Sequence, residues 1–288
     1  MRTRLYVAAA AIPALLAVIF FLPPWAFGIV IGAVAALSAV EFIMATRTAT
    51  SLRVVVYCAT SAFAIPVLMS FSVHMVGGIF ISLLLLIALC TEAILAYDTD
   101  RAVPFSYISL SFFAGAVIPV LLGTLATLRA IPPGMEHFGV PGRFFDGRAY
   151  VLIPIAIAFA SDAGGYFAGH AFGRHKLIEK ISPKKTLEGS LGCFVATLAV
   201  MLIYCFVMVL VFDAEFSLLA MLLYSLFGSA IAQLGDLAFS LIKREYGKKD
   251  FGHILPGHGG MLDRFDSMII LSPFIAALVF WFPVFLQG

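Results

Sequence analysis

From Ser240 to Ser267 the chain reads SLIKREYGKKDFGHILPGHGGMLDRFDS, and its reactive side chains are concentrated there. Lys243, Arg244, Lys248, Lys249 and Arg264 supply charge-assisted donors of the kind that hold phosphate. Asp250, Asp263 and Asp266 supply the oxygen ligands that a hard divalent cation prefers. Gly259 and Gly260 let the backbone come close to a ligand. The stretch lies between two segments apolar enough for a bilayer, so the combination points to phosphate chemistry on a lipid.

Just upstream, Asp236, Ser240 and Lys243 stand at i, i+4 and i+7, one face of a helix. Asp236 and Asp263 bracket the basic loop. Two carboxylates completed by substrate phosphate oxygens suit Mg²⁺, which keeps several waters. Asp266 is a third metal candidate if a helix begins near it; an ion pair with Arg264 or Arg244 is the structural alternative. His258 beside two glycines is read as a phosphate contact and not as a general base. Transfer at phosphorus depends on positioning and charge, and a phosphate monoester is already ionised near neutral pH.

A second polar loop runs from Gly173 to Ser190. Lys184 and Lys185 are point charges for a triphosphate, with Ser182 and Thr186 as hydroxyl donors and Glu188 and Gly189 beside them. A basic patch against anionic headgroups would need only the lysines, and it leaves Pro183, Thr186, Glu188 and Gly189 without a purpose. Asp162 lies inside an apolar segment, where a carboxylate costs a few kcal/mol unless paired or wetted. It is a functional candidate, the alternative being a packing bond to a neighbouring helix. Gly165, Gly169 and Gly173 recur every four residues, which favours close helix packing. Glu41 and Glu92 have no evident sequence partner.

These groups must be carried by membrane helices. The chain has 288 residues, 62% of them hydrophobic and 12% charged; a soluble domain has about a quarter charged. The expected fold is an all-α polytopic membrane protein. Nine stretches approach the ~20 residues that cross a bilayer: Leu5–Phe21, Trp25–Thr46, Leu52–Met69, Met75–Tyr97, Phe105–Leu128, Tyr150–Phe172, Leu191–Phe212, Ser217–Ile242 and Met268–Leu286. The first has no convincing cleavage site and is read as a retained helix. Counting loops from the N-terminus, 15 of the 18 Lys and Arg fall on one side; only Arg129, Arg143 and Arg148 fall on the other. That places the N-terminus and both polar loops in the cytoplasm, in a multi-pass protein of the inner (plasma) membrane. Cys58, Cys90, Cys193 and Cys205 sit in apolar segments without C-x-x-C spacing and read as buried hydrophobes. Residues 1–128 are expected to be a scaffold offering a homodimer surface or a lipid path, 129–149 an external connector, and 150–288 the catalytic region.

The run Ser240-Leu-Ile-Lys243-Arg244, then Lys249-Asp250-x-Gly252 and Leu255-Pro-Gly-His258-Gly259-Gly260-Met-Leu-Asp263-Arg264-Phe-Asp266, resembles the signature of the phosphatidate cytidylyltransferase (CDP-diacylglycerol synthase) family. So do Ser182-Pro-Lys-Lys-Thr-x-Glu-Gly189 and Ser161-Asp162…Tyr166…Gly169. One departure is Phe239, where many members carry glutamate before the signature serine. The resemblance implies a reaction of CTP with phosphatidic acid in the membrane lipid, giving CDP-diacylglycerol and pyrophosphate for phospholipid biosynthesis. It further implies Mg²⁺, with a monovalent cation such as K⁺ beside it, and no nucleic-acid partner. In that reading Asp236 and Asp263 hold the metal, and Lys184, Lys185, Lys243, Arg244, Lys249 and Arg264 neutralise phosphates.

A CTP-dependent lipid-alcohol kinase would need similar groups, plus a base near its acceptor hydroxyl. A cation-coupled secondary transporter would place its acids near the midplane, often in matching halves of a repeat. No repeat is visible here, and the charges crowd one boundary. A purely structural membrane protein leaves the two polar loops unexplained.

Overall fold

The structure, a computed structural model, describes residues 13–49, 51–71, 74–97, 102–132, 147–212, 214–254 and 259–286. Among them, eight helices are long and apolar enough to cross a membrane. The chain is an all-α polytopic membrane protein. The first expected span, Leu5–Phe21, is described from residue 13 on; residues 13–21 are helical (α1), and 5–12 lie outside the described residues.

The chain divides into two compact units. The first comprises Met1–Ala130 and Glu245–Phe265. It contains α2 (Pro24–Thr46), α3 (Leu52–Met69), α4 (His74–Ala96) and a fifth span in three pieces: α5 (Phe105–Phe112), a π-helical turn (Phe113–Val117) and α6 (Ile118–Arg129). Pro24 opens α2, where its missing N–H costs nothing. The Ser51 side chain accepts the Val54 N–H and caps α3. The π turn disturbs the regular hydrogen-bond ladder, and lipid offers no water to repair it. Helix α3 does so instead: Ser61 Oγ donates to the Gly115 carbonyl at 2.9 Å and Cys58 Sγ to that of Ser111 at 3.4 Å. Buried Arg129 donates to the carbonyls of Ile19 and Leu22 at 3.0 and 2.9 Å, closing the end of α1.

The second unit comprises Ile131–Arg244 and Asp266–Gly288. It holds α7 (Gly147–Phe172), a hairpin of β1 (Lys176–Ile178) and β2 (Ser182–Thr186), α8 (Leu187–Phe212), β3 (Glu215–Phe216), α9 (Leu218–Glu245), most of α10 (Leu262–Trp281) and β4 (Phe285–Leu286). Strands β3 and β4 pair antiparallel. A Cβ at Gly164 would stand 2.4 Å from the Gly192 carbonyl, and one at Gly192 would stand 2.2 Å from Ala168 Cβ. Helices α7 and α8 therefore meet backbone to backbone, as expected of a glycine-lined face.

Three boundaries differ from the hydropathy reading by more than three residues. Helix α10 starts at Leu262 and not Met268, and it ends at Trp281, so Phe285–Leu286 is strand. Helix α8 starts at Leu187 and not Leu191. The second polar loop is largely a hairpin running straight into α8, which puts Glu188 and Gly189 on a first helical turn. The four cysteines are free and Cys58, Cys193 and Cys205 are buried.

Candidate active site

In the second unit the polar residues converge from four elements. Gly235 presses on α10, where a Cβ would stand 3.0 Å from the Ser267 carbonyl and 3.1 Å from that of Asp266. That approach brings Asp236 and Asp266 close enough for their charges to interact, and Asp162 on α7 also acts on Asp266. Two lysines answer these acids. Lys185 from β2 forms an ion pair with Asp236, and Lys243 Nζ lies 3.6 Å from Asp266 Oδ2. Ser240 Oγ donates to Asp236 Oδ1 at 3.4 Å, as the i, i+4 spacing requires. Asp266 thus has Lys243 as an ion-pair partner. Arg244 Nε donates to the Ile181 carbonyl at 3.1 Å, tying the end of α9 to the hairpin. Lys243 and Arg244 occupy the last turn of α9, where cations complement the helix dipole.

The hairpin is fixed to α8 by its own residues. Thr186 Oγ1 accepts the Gly189 N–H at 3.1 Å, an N-cap. Glu188 accepts the backbone N–H of Arg174 at 3.0 Å and bonds the His175 ring at 2.6 Å. Gly169 faces Thr186 Oγ1, where a Cβ would stand 3.2 Å away. Ser182 is half-buried, while Lys184 and Asp162 are exposed. Ser190 Oγ donates to Gln233 Oε1 at 2.6 Å, a link between α8 and α9.

In the first unit the signature loop folds on two carboxylates. Asp263 Oδ2 accepts the N–H of Phe251 at 2.9 Å and of Gly260 at 3.0 Å. Glu41, buried on α2, accepts the N–H of Met261 at 2.9 Å and of Leu262 at 2.8 Å. It therefore satisfies otherwise orphaned donors at the start of α10. Gly259 has φ of +83°, a conformation that glycine adopts without strain. The ring of Phe251 stacks on Phe42 of α2 with centroids 5.8 Å apart. Lys249 and Arg264 are exposed. His258 lies outside the described residues. Asp263 and Asp266 share the opening turns of α10, one helical turn apart.

Glu41 is the site residue that sequence reasoning left without a role. Its partners are backbone amides, which leave no mark in a sequence, and its one visible signal is a carboxylate in an apolar segment. Glu92 pairs with Tyr57 Oη at 3.3 Å and Arg53 Nη1 at 3.7 Å, away from this loop. Phe239 is buried.

Among the described residues no three His, Cys, Asp or Glu side chains form a ready-made metal site. The neighbouring carboxylates Asp236 and Asp266 still fit Mg²⁺, because that ion completes its shell with substrate phosphate oxygens and water.

Known proteins resemble this chain along the same lines. Proteins named phosphatidate cytidylyltransferase include one from Bacillus subtilis (strain 168), 42% identical over 156 residues, covering 53% of this chain and 56% of that protein. One from Staphylococcus haemolyticus (strain JCSC1435) is 40% identical over 134 residues, covering 46% and 50%. One from Staphylococcus aureus (strain COL) is 39% identical over 150 residues, covering 50% and 56%. The chain spans about half the length of the curated relatives it matches. The profile of the cytidylyltransferase family extends much further, over residues 2–282, taking in both units and every candidate carboxylate and lysine. On that match the chain belongs to the cytidylyltransferase family.

Proposed function

We propose that this protein transfers the cytidylyl group of CTP to phosphatidic acid, giving CDP-diacylglycerol and pyrophosphate. The observation that carries the reading is the cluster of Asp236, Asp266, Lys185 and Lys243, which joins metal-type acids to phosphate-type cations in a membrane protein. The relatives' name supports the choice of substrates.

An oxygen of the lipid phosphate attacks the α-phosphorus of CTP, the bond to the β-phosphate oxygen breaks, and pyrophosphate leaves with the electron pair. The lipid phosphate is ionised at neutral pH, so no side chain must take a proton. Lys184 and Lys185 on the hairpin, with Lys243 and Arg244 on α9, neutralise the phosphates. Ser182, Thr186, Glu188 and Gly189 shape the hairpin and its junction with α8 around the nucleotide. Ser240 orients Asp236. Lys249, Arg264, His258, Gly259 and Gly260 contribute the signature loop's phosphate contacts, and Asp162 adds negative charge near the acids. Asp236, Asp263 and Asp266 would hold Mg²⁺, which when bound offsets triphosphate charge; a monovalent cation such as K⁺ is part of the same reading.

In the same reading, which the charge asymmetry supports, the N-terminus and both polar segments face the cytoplasm from the inner membrane. Residues 1–128 then serve as scaffold, offering a homodimer surface or a lipid path, 129–149 as external connector, and 150–288 as the main catalytic region.

The test is product analysis of purified protein in detergent with labelled CTP, phosphatidic acid and Mg²⁺, with and without chelator. CDP-lipid and pyrophosphate that form only with metal are expected. With diacylglycerol also supplied as a lipid alcohol, CDP together with a phosphorylated lipid would make the protein a CTP-dependent kinase. No CTP consumption by a folded preparation would overturn both readings.

A further inference from the structure

We infer that Glu41 is a positioning residue for the transfer reaction, the clamp that holds the signature loop and the start of α10 in working geometry. The inference rests on the cytidylyltransferase reading for its kinetic consequence, but the clamp itself is read from contacts within the first unit.

Glu41 does more than fill a hole. Both carboxylate oxygens are committed, Oε1 to the N–H of Met261 and Oε2 to that of Leu262. The loop is moulded around it: a Cβ at Gly252 would stand 2.3 Å from Oε1, and one at Gly260 would stand 2.4 Å from Oε2. Two signature glycines, eight positions apart, are therefore glycines at least in part because Glu41 lies between them. Asp263 follows directly, and its Oδ2 closes the same loop on Phe251 and Gly260. The acid from α2 thus sets where the helix carrying Asp263 and Asp266 begins. Partners that orient a reactive carboxylate characteristically cost about 10- to 100-fold in activity or metal affinity when lost.

The experiment compares wild type with Glu41→Gln and Glu41→Asp in detergent. Glu41→Gln keeps the size of the side chain but turns an amide NH₂ towards a backbone N–H. Backbone hydrogen exchange over residues 251–263, the thermal midpoint, and kcat and KM for CTP are measured on each. Expected for Glu41→Gln is faster exchange at Met261 and Leu262 with the midpoint within a few degrees. Its kcat falls at least about tenfold with KM for CTP within a factor of about three, and Glu41→Asp recovers part of both losses. Unchanged exchange at those amides, or full kcat despite faster exchange, would overturn the inference. So would a drop in activity matched by an equal loss of folded protein. If neither substitution at Glu41 folds, Gly260→Ala, whose methyl collides with Oε2, must give the same pattern, and normal exchange and turnover there would overturn the clamp. If wild type makes no CDP-lipid, the reaction has been misassigned, while the exchange data still decide whether Glu41 holds the loop.

Discussion

Asp263 has one oxygen bound to two loop amides, so its substitution tests charge and loop together. Asparagine retains a carbonyl oxygen for those amides but removes the negative charge. Asp263→Asn is expected to lower turnover at least about 100-fold, the size of losing one strong electrostatic contact to the transition state, while the protein remains folded and inserted. Near-normal turnover would confine Asp263 to holding the loop. Lys185 is bound to Asp236, and Lys184 is exposed on the same strand. Replacing both with alanine is expected to raise KM for CTP more than it lowers kcat; an unchanged CTP response would return the hairpin to lipid-surface binding. At this scale the acids, lysines and hydroxyls were legible because their side chains carry their chemistry. The partners of Thr186, Glu188 and Glu41 were not, since each binds backbone amides that any residue can supply.

Helix spans were legible almost to the residue where apolar runs end abruptly, as at Leu52–Met69. They failed where a helix starts polar. The opening turns of α10 contain Asp263, Arg264 and Asp266, which carry no hydropathy signal although an acid in a first turn favours the helix. The hairpin was missed because β2 is short, contains Pro183 and reads as loop. The Gly164–Gly192 contact, by contrast, makes a sharp prediction about packing. Gly192→Val is expected to lower the thermal midpoint in detergent clearly more than Ala199→Val on the exposed side of α8, because inserted carbons have no room at the first site. Overpacking of this kind costs about 1–3 kcal/mol. Equal midpoints would mean that α7 and α8 do not meet backbone to backbone.

Orientation belongs to the whole chain, since reversing it would reverse every loop. With Cys58, Cys90, Cys193 and Cys205 replaced, a cysteine at Lys248 is expected to react with a membrane-impermeant thiol reagent only after the inner face is opened. A cysteine at Glu215 should react in intact cells. The opposite pattern would invert the topology and remove CTP from reach of the lysines. Composition made the membrane class legible from the outset. The unit composition was hidden, because residues 245–265 join helices made of the first 130 residues only through contacts such as Phe42 with Phe251.

The bond between Glu41 and Leu262 spans 221 residues. At ribosomal speeds of about 5–20 residues per second, α2 waits roughly ten to forty seconds for those amides to be made. Until then Glu41, in the last turns of α2, lacks the two amides it binds in the folded chain. Closing the signature loop is a late act of assembly, and a chain stopped before Gly260 carries Glu41 in α2 without the Met261 and Leu262 amides that donate to it.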